Sequence, residues 1–150
     1  MKLFNMKIFT GLSLLVLVTV FTNCNETKKV IEDTGSVQIT GTYIVTLLND
    51  TKVSKDKGIS FEMSEFNKSI RGTTGCNSFF GVVSKEGRSL RFTEMNISEN
   101  YCDDDVMRSE QNLLRALNTV GSYLLKKDIL TLYSDSDKSV ILNAVKYTIQ

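Results

Sequence analysis

Arg71-Gly72-Thr73-Thr74-Gly75-Cys76-Asn77-Ser78-Phe79-Phe80-Gly81 reads as a strand, a tight corner and a second strand. Three glycines punctuate it, and glycine tolerates the positive φ that a sharp reversal demands. An asparagine amide can hydrogen-bond neighbouring backbone groups, so Gly75-Cys76-Asn77 can turn sharply while the cysteine stays available for a covalent tie.

Outward from this corner the chain alternates. Gly41-Thr42-Tyr43-Ile44-Val45-Thr46-Leu47-Leu48 is rich in β-branched and aromatic residues and ends in Asn49-Asp50, a strand closed by a turn. Ile59, Phe61 and Met63 alternate with Ser60 and Glu62, as in a half-buried strand. Strands are expected at about residues 69–73 and 79–83, and Gly87 closes a turn before Leu90-Arg91-Phe92. After Cys102 the period changes from two to 3.6. Asp103-Asp104-Asp105 places acceptors and negative charge at a helix start. Val106, Leu113, Leu117 and Val120 then form one stripe, flanked by Met107 and Leu114, and Gly121 is expected to end the helix. Residues 122–126, 129–133 and 139–145 read as three further strands. Phe61, Phe79, Phe80, Phe92 and Tyr133 are expected in the core. About eight short strands and one amphipathic helix imply an α+β domain, its antiparallel sheet curled around that helix or packed upon it.

Composition narrows the chemistry. The 150 residues, 41% hydrophobic and without proline, suffice for one ordinary globular domain. With 18 basic and 17 acidic side chains in no long block, there is no footprint for nucleic acid. The chain has no histidine, so catalytic triads, Cys-His dyads and His-based zinc sites are excluded.

Lys2 and Lys7 precede an apolar run of 14 residues, Ile8 to Phe21, followed by Thr22-Asn23-Cys24 and a polar stretch. The run is shorter than the roughly 20 residues that span a bilayer. The layout resembles a bacterial lipoprotein signal, in which the cysteine becomes the acylated first residue. Phe21-Thr22-Asn23 departs from the usual Leu and two small residues before that cysteine, and an ordinary secretory signal or an uncleaved anchor is the alternative. We expect a removed signal over 1–23, lipidation at Cys24, a polar tether over 24–38 and a folded domain over 39–150, held at the membrane of the bacterial cell envelope, with the outer membrane the expected site. Removing Lys2 and Lys7 leaves 16 basic against 17 acidic side chains, so the mature chain relies on its acyl groups rather than a basic patch.

The order of features from Gly41 to about Val145 resembles the META domain family, which includes the HslJ-like lipoproteins. The resemblance is carried by Gly41-Thr42-Tyr43, where the family usually has Trp at the third position, and by Gly75-Cys76-Asn77 with Phe79 and Gly81. Cys102, Met107, Glu110 and Leu117 follow at matching spacing, and Leu130-Thr131-Leu132 is similar to a Leu-x-Leu strand of the family. Ser98-Glu99-Asn100-Tyr101-Cys102 departs from the usual Thr-x-Met-Ala-Cys without moving the cysteine. The resemblance implies a cracked β-barrel of antiparallel strands around one helix, in exported proteins tied to stress tolerance, antibiotic resistance or motility. Its shape is similar to that of type III secretion pilot lipoproteins, some of which hold lipid.

Three constellations matter. With Cys24 acylated, Cys76 and Cys102 remain in an oxidising compartment; a structural disulfide is the natural pairing, with two buried thiols or a redox pair as alternatives, the last disfavoured by the absence of C-x-x-C. Closing that loop would contribute about 3.5 kcal/mol in the chain-entropy model. Glu110 lies four residues after Val106 and three before Leu113, on the inward helix face, so it needs a partner: the corner's N–H groups, the Asn77 amide or Arg71. We expect it to clasp the corner against the helix. Glu99, Asp103, Asp104 and Asp105 lack the D-x-D-x-D-G spacing, and a helix start explains them, so no metal and no cofactor is expected. The expected role is that of a non-enzymatic accessory lipoprotein binding an envelope component. The alternative is a carrier of a lipid or small apolar ligand in a cleft between sheet and helix. An enzyme ranks last, because Ser78 and Ser122 have no visible base.

Overall fold

The computed structural model describes residues 37–148. Cys24, the expected signal and nearly all of the expected tether lie outside them.

Among the described residues nine strands and one α-helix follow in order: β1 Gly41–Leu48, β2 Thr51–Lys52, β3 Ser60–Ser64, β4 Ser69–Thr73, β5 Ser78–Glu86, β6 Ser89–Ile97, α1 Asp104–Asn118, β7 Val120–Lys126, β8 Ile129–Ser134 and β9 Val140–Lys146, with a short 3-10 turn at Lys55–Lys57 between β2 and β3. Each strand pairs antiparallel with the next in the order β1-β3-β4-β5-β6-β7-β8-β9, and β9 pairs back onto β1 from Tyr43↔Lys146 to Leu48↔Leu142. The result is an eight-stranded antiparallel barrel with one helix, and the two-residue β2 is laid on the edge of β1. Closure removes the free edges that invite intermolecular pairing. Bulges at Val45/Leu47, Phe80/Val82, Val120/Ser122 and Leu132/Tyr133 add the local twist that a closed sheet requires. The ring is thinnest between β6 and β7, joined by the ladder pair Ser89↔Ser122 and by the Tyr123 N–H on the Arg88 carbonyl at 3.2 Å.

Alternation along the strands sends one face inward. Tyr43, Phe61, Met63, Ile70, Leu90, Leu130, Leu132 and Leu142 are each at most 1% exposed. Tyr43 stacks on Phe61 with ring centroids 5.6 Å apart, and its hydroxyl donates to the Ile39 carbonyl at 3.0 Å. The helix adds Leu113, Ala116 and Leu117 to this core, along with Glu110. Burying a leucine-sized side chain contributes about 1.5–3 kcal/mol, so the helix is held chiefly by its packed side.

Several expectations need correction. Gly121 does not end the helix: it is a buried residue of β7, where a Cβ would sit 2.5 Å from the Asp135 Cα. The helix stops at Asn118, and Thr119 caps it through its N–H to the Ala116 and Leu117 carbonyls. Val120 therefore belongs to the sheet. Asp103 takes the N-cap position without any side-chain cap hydrogen bond, so the acids there act through the dipole alone. Phe80 is 61% exposed and points away from the core, because it alternates with the buried Phe79. Tyr133 is only half-buried. Strands β5 and β6 run well beyond the stretches expected for them, through polar residues that the alternation of the sheet leaves outside.

Candidate functional site

The corner is the four-residue loop Thr74 to Asn77 that joins β4 to β5, whose flanking residues Thr73 and Ser78 pair across the ladder. The Thr74 N–H donates to the Asn77 carbonyl at 2.8 Å, and the Asn77 N–H returns to the Thr74 hydroxyl oxygen at 2.9 Å. Gly75 sits at φ +93°, where a side chain is strained, and a Cβ there would meet the Lys57 carbonyl oxygen at 2.5 Å. The glycine is required on both counts.

Glu110 reaches this loop from the helix, but its partner differs from those expected. The Thr74 hydroxyl donates to Glu110 Oε2 at 2.6 Å, with both side chains buried. The same hydroxyl oxygen lies 3.1 Å from the Asn77 carbonyl. A hydroxyl carries one proton, and the shorter bond to the carboxyl takes it. Arg71, named as a candidate, is on the outer face instead and pairs with Glu62 at 2.7 Å. The miss has a physical cause: Thr74 is one of two adjacent threonines in the stretch, and the course of the loop just past the end of β4 decides which of them faces the helix.

Asn77 also does more than turn the chain. Its Oδ1 accepts from the Ser98 hydroxyl at 2.8 Å and the Asn100 N–H at 2.7 Å, and its Nδ2 donates to the Asn100 carbonyl at 3.1 Å. One buried amide thus fastens the loop leading to the helix. Cys76 and Cys102 are joined by a disulfide across the same junction, with Cα atoms 6.1 Å apart, so they are not two free buried thiols. Gly81 sits on β5 opposite the Phe80/Val82 register shift, where a Cβ would meet Met95 Sδ and the Thr93 carbonyl oxygen. It makes room for the bulge rather than for the corner.

Beside the clasp lies a shallow hollow of about 280 Å³ lined by Asp56, Lys57, Ile59, Thr74, Gly75, Asp105, Val106 and Ser109. Glu99, Asp103, Asp104 and Asp105 are exposed around the helix start, and among the described residues no three His, Cys, Asp or Glu side chains converge as a metal site would need.

At the opposite end of the barrel Tyr43 is held strongly against ionisation, its pKa pushed up to about 12 by burial first and then by the nearby negative charges of Glu65 and Asp128. Val37 to Ile39 close this end: the Tyr123 hydroxyl lies 3.3 Å from the Val37 carbonyl, and the Ile39 N–H donates to Glu65 at 2.6 Å.

Comparison with known proteins agrees on the architecture. The META domain family matches residues 35–146. An NMR structure of a protein from Burkholderia xenovorans is 20% identical, with a TM-score of 0.59 over 78% of this chain and 88% of that one. A crystal structure of a DUF4847 family protein from Bacteroides vulgatus is 12% identical, with a TM-score of 0.53 over 76% of this chain and 97% of that one. Both show likeness of fold alone. No curated protein matches the sequence.

Proposed function

Because the chain belongs to the META domain family, we propose that it is an exported, lipid-anchored accessory domain of the bacterial envelope that works by binding rather than by catalysis. The observation that carries the reading is the use of its cysteines. Of three in the sequence, Cys76 and Cys102 are spent on a bond that persists in oxidising compartments, while Cys24 follows a basic start and an apolar run. The polar groups of the corner favour a structural role, since Thr74, Asn77 and Glu110 direct their atoms at one another and at Ser98 and Asn100. In this reading the amphipathic helix and the corner form one rigid scaffold, and the thin β6–β7 seam is the crack in the barrel.

The carrier reading needs an apolar cleft between sheet and helix; the inward helix side chains Leu113 and Leu117 are fully packed, and the hollow beside Thr74 and Val106 is lined by Asp56, Lys57, Asp105 and Ser109 with only Ile59 and Val106 as larger apolar side chains. The accessory reading is preferred on that ground. Metabolic labelling with a palmitate analogue tests it: wild type should incorporate the label and Cys24→Ser should not. Equal labelling of the two would remove the anchor and the reading with it.

A further inference from the structure

The near-balance of charge in the sequence conceals a segregation that the fold creates. The barrel end closed by Val37 to Ile39 gathers Lys68, Lys85, Arg88, Lys126, Lys127 and Lys146 from the β3–β4, β5–β6 and β7–β8 turns and the end of β9. Three acids accompany them: Glu65, already paired with Lys85 at 3.2 Å, Glu86 and Asp128. The contacts that tie these turns into one end are direct. The Ile39 N–H donates to Glu65, the Tyr123 hydroxyl touches the Val37 and Gly87 carbonyls, and the Lys146 N–H donates to the Asp128 carbonyl.

Apolar side chains protrude at the same end. Phe66 stands on the β3–β4 turn at 95% exposure, with Ile129 at 50% and Tyr147 at 56% beside the other turns. A phenylalanine that exposed contributes nothing to the core. Aromatic tips among lysines and arginines are the composition of surfaces that settle at the headgroup level of anionic membranes. The corner end lacks that basic excess: Asp56, Glu99, Asp103, Asp104 and Asp105 lie around it, against Lys55 and Lys57.

We propose that this basic, Phe66-bearing end docks on an anionic phospholipid surface and fixes the domain's orientation, the corner end facing away from the bilayer. This rests on the lipid-anchor reading above, which supplies the missing strength. Only 12 residues separate Cys24 from Val37, and Val37 lies at this very end. Such a segment reaches about 45 Å at full extension, so an acylated Cys24 holds the patch within that distance of the surface. Tethering makes docking intramolecular, and a patch too weak to recruit the free domain then suffices to orient it. The nine-residue β5 carries the chain about 26 Å from the corner to this end, so the two ends are separable by a depth probe.

The chain has no tryptophan, which makes single-tryptophan reporters clean. Phe66→Trp and Tyr101→Trp, at residues 95% and 86% exposed, are made in the full acylated chain and reconstituted in phosphatidylglycerol/phosphatidylethanolamine vesicles containing brominated lipid. Intact mass of the same preparation reads the acylation. Quenching several-fold stronger at position 66 than at 101, lost when Lys68, Arg88, Lys126 and Lys127 become Gln or when the vesicles are phosphatidylcholine alone, is the expected result. Equal quenching at the two positions in an acylated, vesicle-bound chain overturns the docking while leaving the anchor intact. A chain that carries no acyl group and does not float with vesicles overturns the anchor itself.

Discussion

The two ends of this barrel are built on opposite principles. At the corner, polar groups are buried and answer one another: Thr74 to Glu110, Asn77 to Ser98 and Asn100, Cys76 to Cys102. At the other end Phe66 and the lysines of the turns stand in water, while Tyr43 and Tyr123 are buried beneath them and Lys85 is paired with Glu65. Groups that satisfy one another hold a fold together. Groups that stand free are available to something outside it, so substitutions at the corner should cost stability and substitutions around Phe66 should cost almost none.

The largest effect is expected from removing the disulfide. Cys76→Ser with Cys102→Ser frees a loop of sequence separation 26 and should destabilise the fold by about 3.5 kcal/mol in urea unfolding. A loss under about 1 kcal/mol would show that the hydrogen-bonded corner holds without sulfur. Next comes Glu110→Ala, which leaves the Thr74 hydroxyl only its longer approach to the Asn77 carbonyl and opens space under the helix; about 2–3 kcal/mol should be lost. Asn77→Ala removes three hydrogen bonds to the Ser98–Asn100 loop and should cost about 2 kcal/mol, and hydrogen exchange should show the Asn100 amide opening first.

Alkaline pH probes the other end through Tyr43. Its folded pKa, about 12, lies above the ordinary 10.0, so the stability it contributes is complete below pH 10 and is lost as pH rises through 12. Melting temperature should therefore fall between pH 10 and 12 more steeply in wild type than in Tyr43→Phe, and parallel curves would contradict it. The smallest effect belongs to Phe66→Ser, expected within about 0.5 kcal/mol of wild type. A larger loss would mean that Phe66 is packed in solution and that the contrast between the ends fails.

Much of this was legible in the chain. Alternation at Ile59, Phe61 and Met63, the helical stripe through Leu113 and Leu117, and the inward placement of Glu110 are local patterns that the barrel keeps. What escaped depends on neighbours distant in sequence. The Thr74 partner of Glu110 is 36 residues away, and nothing in a pair of adjacent threonines says which one faces the helix. Gly121 looked like a helix stop, yet its small size serves the close approach of Asp135, a contact made only once β7 and β8 are paired. The charge asymmetry is invisible to composition because antiparallel strands bring turns together from across the whole chain.

The clasp between corner and helix is tested most directly by a double-mutant cycle on Thr74→Ala and Glu110→Ala, followed by urea unfolding. A direct buried bond predicts that the two losses overlap, with a coupling energy of about 1–2 kcal/mol. Strictly additive losses, with no coupling, would mean that the helix and the corner are held independently of one another and would contradict the account.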